Sequence, residues 1–175
     1  MITKILLPID GSETSLKSAE YAAWFAGLLD SLKGTPSMAR RTADSSMVPK
    51  EKDAPTTVIL LHVINEKIFT SISSPVEGGM THSLEAIENF LKKEGADYMD
   101  KVESMMKERG VRTSTAVRRG DPAEEIINAA EETGADLIII GSHGRTSSRA
   151  ALLGSVAHGV IHNAKKIPVL VIRKG

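Results

Sequence analysis

Short apolar runs of strand length alternate with longer amphipathic stretches along this whole chain, and that rhythm leaves few folds open. Lys4–Ile9 (KILLPI), Thr57–Ile64 (TVILLHVI), Val111–Arg118 (VRTSTAVR), Asp136–Ile140 (DLIII) and Pro168–Ile172 (PVLVI) read as strands. Between them, Ser15–Leu32 places Leu16, Ala19, Ala23, Ala26 and Leu29–Leu32 at helical spacing, and Ser83–Arg109 repeats Leu84, Ile87, Leu91, Met99, Val102 and Met106 among acids and lysines. DLIII is apolar on both faces, as a strand needs to be at the centre of a parallel sheet covered by helices on both sides. The alternation predicts right-handed crossovers and a doubly wound parallel sheet, an α/β fold.

Local signals sharpen the boundaries. Asp121 is placed to cap a helix, Pro122 suits its first position and Glu124 completes a capping box, while Gly134 marks the end. Gly154–Ala164 reads as the last helix. Gly34–Pro55 is rich in Ser, Pro and charge without apolar periodicity, and reads as an inserted surface loop. Asn65–His82, with Gly78-Gly79, reads as a loop after the second strand. No internal repeat is visible, and 175 residues fit one domain.

Composition then removes whole classes of function. Lys plus Arg number 22 and Asp plus Glu number 22, so the chain lacks the net basic charge of a nucleic-acid binder. Only 3% of residues are aromatic, too few for a row of base-stacking platforms. The absence of cysteine excludes disulfides, thiolate metal sites and a cysteine nucleophile. No apolar run approaches the roughly 18 residues of a membrane span, and the first run is too short for a secretory signal. A cytoplasmic location is the expectation.

The informative segment is Gly141–Ser155 (GSHGRTSSRAALLGS), which follows the most apolar strand and runs into a helix start. Open parallel sheets bind ligands beyond the carboxyl ends of their strands. Gly141 and Gly144 let backbone amides approach an anion closely. Gly154-Ser155 offers a helix N-terminus with a hydroxyl, and Arg145 and Arg149 lie between. The bland account stands beside this one: glycines after a strand are common turn residues, and Gly-Ser is a common helix start.

The spacing Gly141-x2-Gly144-x9-Gly154-Ser155 resembles the G-x2-G-x9-G-[S/T] signature of the universal stress protein family. KILLPIDGSETS, VILLHVI, DPAEEII, ADLIIIGSHGR and IPVLVIRKG are similar to that family in the same order, over nearly the whole chain except Gly34–Pro55. The resemblance implies one universal stress protein domain over 1–175: a three-layer α/β/α sandwich, Rossmann-like, with a five-stranded parallel sheet of order 3-2-1-4-5. It further implies a cytoplasmic stress-response module that binds ATP, or ADP or AMP, with Mg²⁺ or Mn²⁺ bridging the phosphates. By position, Pro8, Ile9 and Asp10 would line the adenosine end, Val63 would meet adenine through its backbone, and Gly141 would lie near the ribose. Gly144, Arg145, Gly154, Ser155 and Val156 would surround the phosphates, with His143 inside the same motif. It also implies a homodimer in which Val169–Ile172 pairs with its copy, which would cover an apolar sheet edge.

Competing readings are a slow metal-dependent ATPase on the same fold, or a dimeric interaction module with no nucleotide. No Ser–His–carboxylate or paired-carboxylate arrangement names a catalytic group. Asp10 reads either as a helix cap or as ligand-facing. His158 and His162 have metal-compatible spacing but no third ligand nearby in sequence. His62 reads as a packed histidine, the methionines as core or loop filler, and Arg40-Arg41 and Arg118-Arg119 as solvated surface.

Overall fold

The computed structural model describes residues 1–34, 54–67, 81–145 and 153–173. Among these residues, five strands and four helices follow in the order β1 (Lys4–Pro8), α1 (Glu13–Gly34), β2 (Thr57–Asn65), α2 (Thr81–Glu108), β3 (Arg112–Gly120), α3 (Pro122–Thr133), β4 (Leu137–Gly141), α4 (Ser155–Asn163) and β5 (Val169–Ile172). All pairings are parallel and the sheet order is β3-β2-β1-β4-β5, as the resemblance implied. The expected insertion at 34–55 lies, apart from its two ends, outside the described residues.

Strand alternation splits the core into two. Ile5, Leu7, Val58, Leu60, Leu137 and Ile139 face α1 and α2, where they meet Ala19, Ala22, Ala26, Met99, Val102 and Met106. Leu6, Ile59, Leu61, Ile138 and Ile140 face the other way, against Ile126, Ala129, Ala130, Ala157 and Val160 of α3 and α4. Both faces of β1 and β4 are therefore dry, which explains their unbroken apolar runs. Leu6 is wholly buried, and truncating such a side chain to alanine costs about 2–5 kcal/mol. The alanines of α1 let it lie close on the sheet. Leu32, which helical spacing grouped with the buried positions, is instead 64% exposed.

The Asp121 cap, Pro122 in the first turn and the Gly134 stop all have structural counterparts at α3. Asp121 Oδ1 accepts from the amides of Ala123 (3.0 Å) and Glu124 (3.5 Å), and Gly134 closes the helix at φ +64°, a left-handed conformation that favours glycine. Asp121 does a second job: its Oδ2 lies 2.7 Å from Lys67 Nζ, just past β2. That hydrogen bond with Lys67 holds the Asp121 carboxyl below its ordinary value. Arg118 and Arg119 are not simple solvated surface. Arg118 pairs with Glu132 and Glu125, and Arg119 with Glu66 (3.0 Å) and Glu88 (3.6 Å), tying β3 to α3 and α2.

Candidate functional site

The order of strand connection reverses between β1 and β4, which pair in parallel through Ile5↔Leu137 and Leu6↔Ile138. Their carboxyl ends therefore open into one crevice. Pro8 ends β1, and the Ile9 amide still donates to the Leu61 carbonyl (2.8 Å). Asp10 then turns away from the sheet, its Oδ1 accepting from the Ser12 amide (3.0 Å) and hydroxyl (2.6 Å). Ser12 caps α1: its carbonyl accepts from Leu16 and its hydroxyl from the Ser15 amide. Ser12 thus supplies the α1 cap, and Asp10 borders the crevice.

The loop after β4 is stitched to the start of α1. The Thr14 hydroxyl donates to the His143 carbonyl, and Ser12 Oγ approaches the same oxygen at 3.3 Å. A Cβ on Gly141 would stand 2.7 Å from Thr14 Oγ1 and 2.8 Å from the Thr14 backbone carbon. One on Gly144 would stand 2.9 Å from Asp10 Oδ2. Neither glycine has positive φ. Packing against the α1 backbone thus demands glycine at 141 before any anion is considered, whereas at 144 the neighbour is only a side-chain tip. Further on, the Gly154 amide donates to the Ser142 carbonyl (2.7 Å), and Gly154 caps α4 with no side-chain bond. The amides of Ser155, Val156 and Ala157, at the first turn of α4, have no intrahelical partner and carry the positive end of the helix dipole.

α2 supplies a wall that sequence reasoning missed. Glu94 accepts from Arg145 through Nη1–Oε2 (2.6 Å) and Nη2–Oε1 (2.9 Å), and from the Tyr98 hydroxyl (3.1 Å). Arg145 lies over the Tyr98 ring, 5.8 Å from its centroid, and that ring packs where a Cβ on Gly11 would be. Hydrogen bonding to Arg145 holds the Glu94 carboxyl below its ordinary value and Arg145 above its own; the bond to Glu94 raises Tyr98. His62 is buried, its Nδ1 2.9 Å from the Ile9 carbonyl. Because a carbonyl only accepts, Nδ1 carries the proton, and the ring occupies the space left free by Gly95. A glycine inside an amphipathic helix was the available signal that α2 approaches something closely.

Together these segments enclose a cavity of about 510 Å³. Pro8, Ile9 and Asp10 line it from β1, Val63 from β2, Gly141, His143, Gly144 and Arg145 from the end of β4 and its loop, and Gly154, Ser155 and Val156 from α4. The eleven residues that the resemblance placed at the ligand thus border the same space. So do Phe90, Leu91 and Glu94 of α2 and Pro122 and Ile126 of α3, none of which the sequence had assigned to a ligand site. Arg149 lies outside the described residues. His158 and His162 stack on the face of α4 with ring centroids 6.2 Å apart. Among the described residues no group of three or more His, Cys, Asp or Glu comes together as a metal site.

A doubly wound α/β sheet, with a cavity at its switch point bordered by an uncapped helix N-terminus, defines a class of small-ligand-binding proteins. The universal stress protein family matches residues 1–173, and the chain belongs to that family. Universal stress protein MJ0531 of Methanocaldococcus jannaschii is 37% identical over 98% of this chain and 82% of its own length. The solved structure of MJ0577 from the same organism has a TM-score of 0.74 at 29% identity, covering 100% of this chain and 98% of that one. A universal stress protein from Archaeoglobus fulgidus, solved in complex with dAMP, shares the fold with a TM-score of 0.58 at 16% identity, covering 98% of each chain.

Proposed function

We propose that the cavity binds an adenine nucleotide, with ATP the favoured ligand and ADP or AMP alternatives, and that occupancy makes the protein a nucleotide-dependent module of the stress response. One observation carries this reading: the complete glycine–serine signature lines a single cavity together with the orphan amides of α4. On this reading the phosphates lie at Gly144, Gly154, Ser155 and Val156, where the amides, the Ser155 hydroxyl and the helix dipole all favour negative charge. Ile9, Val63, Phe90 and Leu91 give the β2 side an apolar lining suited to the base. The dAMP complex of the Archaeoglobus fulgidus protein fits the same ligand class.

A divalent cation fits as a companion of the phosphates rather than as a resident ion. Asp10 and Glu94 border the cavity, but the described residues bring no three such ligands together. Mg²⁺ is commonly held by one or two carboxylates plus phosphate oxygens, whose charge it neutralises. Nucleotide binding is the assignment, with slow metal-dependent hydrolysis on the same site as the alternative activity. Assembly as a homodimer through β5, in the cytoplasm, completes the proposal.

Calorimetric titration of nucleotide-stripped protein with ATP, with and without Mg²⁺, tests it. Saturation near one ATP per chain is expected. Absence of binding under both conditions would leave a dimeric interaction module as the better reading.

A further inference from the structure

We infer that Glu94 is a built-in competitor for Arg145: the phosphates of an incoming nucleotide take the guanidinium edge that Glu94 holds, and this exchange makes the site discriminate by phosphate charge. The inference rests on the nucleotide reading of the cavity. Arg145 directly follows Gly144 on the β4 loop, whereas Glu94 sits on α2, and both border the cavity. The two bonds of 2.6 and 2.9 Å occupy the Nη1–Nη2 edge of the guanidinium, an edge that can also grip a phosphate bidentately. Tyr98 fixes both partners: its hydroxyl bonds the same carboxylate and its ring lies under Arg145. A phosphate that takes the Nη1–Nη2 edge must displace Glu94; the Nε side is the remaining edge through which Arg145 can grip an oxyanion.

The contact is built to be exchanged. The Arg145 side chain is 47% exposed and that of Glu94 21%, so water and salt weaken the pair. A polyphosphate brings more charge than one carboxylate and wins the exchange, while a neutral nucleoside has nothing to exchange. Once released, Glu94 keeps its charge beside the cavity and opposes the phosphates, a penalty that grows with phosphate number. The exchange also cuts a tie between α2 and the β4 loop, so nucleotide occupancy is felt along α2.

Titrations of adenosine, AMP and ATP into the stripped wild type, Glu94→Gln and Glu94→Ala test this. Glu94→Gln is expected to bind ATP roughly three- to ten-fold more tightly, AMP less so and adenosine unchanged. The gain should vanish when Arg145→Gln is added. Hydrogen exchange in residues 91–98 of wild type should quicken when ATP binds. Equal ATP affinity in wild type and both variants overturns the exchange while leaving the nucleotide reading intact. A gain of the same size for adenosine means a reshaped pocket, and also overturns it. Weaker ATP binding in the variants makes Glu94 a ligand contact instead. If no protein binds any of the three ligands, the nucleotide reading fails and takes the exchange with it. Should both Glu94 variants misfold, Tyr98→Phe removes one bond from the same carboxylate and should show a smaller gain in the same ligand order.

Discussion

Gly141→Ala separates the two reasons for a glycine at the end of β4. The new methyl would stand 2.7 Å from Thr14 Oγ1, 2.8 Å from the Thr14 backbone carbon and 3.0 Å from the Ser15 amide nitrogen. Two of these are backbone atoms at the first turn of α1, so no side-chain rotation relieves the contact. Overpacking of this kind costs about 1–3 kcal/mol. The bond from the Thr14 hydroxyl to the His143 carbonyl, which the methyl would wedge open, adds about 1 kcal/mol. The expected loss is about 2–4 kcal/mol, or a fall in Tm of roughly 5–15 °C for a chain of this size. Urea unfolding followed by circular dichroism on nucleotide-free protein measures it. Gly144→Ala is the comparison: its methyl meets the tip of the Asp10 carboxylate at 2.9 Å, which can swing aside at a cost of about 1 kcal/mol. A Gly141→Ala protein within about 0.5 kcal/mol of wild type, but with nucleotide binding lost, would refute the packing argument and return the glycine to the ligand.

Ser155→Ala should weaken ATP binding about ten-fold, the loss of one hydroxyl bond to a charged phosphate, with adenosine binding unchanged in the same calorimeter. Asp136 links stability to acid: burial raises its carboxyl, but bonds from the Thr3 amide and hydroxyl and the Lys4 amide outweigh this and leave it below the ordinary 3.8. Its contribution is complete above that value and is lost as pH falls further through the folded value, so Tm should drop more steeply there in wild type than in Asp136→Asn. Leu170, 41% exposed on β5, should when changed to Glu give a folded monomer by sedimentation; wild type that is itself monomeric at micromolar concentration would remove the dimer from the proposal.

The fold was legible because its central strands speak plainly. A run such as DLIII has no polar face to spare, and its place in mid-sheet followed from that alone. The strand order came from the family likeness, since alternation of strand and helix does not say which way each crossover goes. Half of the cavity was legible for the same reason as the motif: Gly141, Gly144, Gly154 and Ser155 are close in sequence. Its α2 wall was not. Leu91 sits at core spacing and Glu94 among the charges of a surface helix, and Arg145 lies 51 residues beyond its partner. Such a pair exists only once the sheet has brought α2 and the β4 loop together. The glycines show the opposite error, for their ligand role was read easily while their contacts with Thr14 and Asp10 were invisible.

The two margins of the sheet are unlike, and this bears on how large an assembly can become. β3 carries Arg112, Arg118 and Arg119, with acids from α2, α3 and the turn after β2 drawn around the last two. β5 is four uncharged residues, Val169–Ile172. Charged margins resist adding another strand, whereas short apolar ones invite it. A plank that accepts a neighbour along one side only is used up after a single joining. Were two copies to join through β5 as proposed, like edge to like edge, both outer margins of the joined sheet would be of the charged kind. On that arrangement the arginines that fasten β3 to its helices would also mark the margin at which a proposed dimer stops growing.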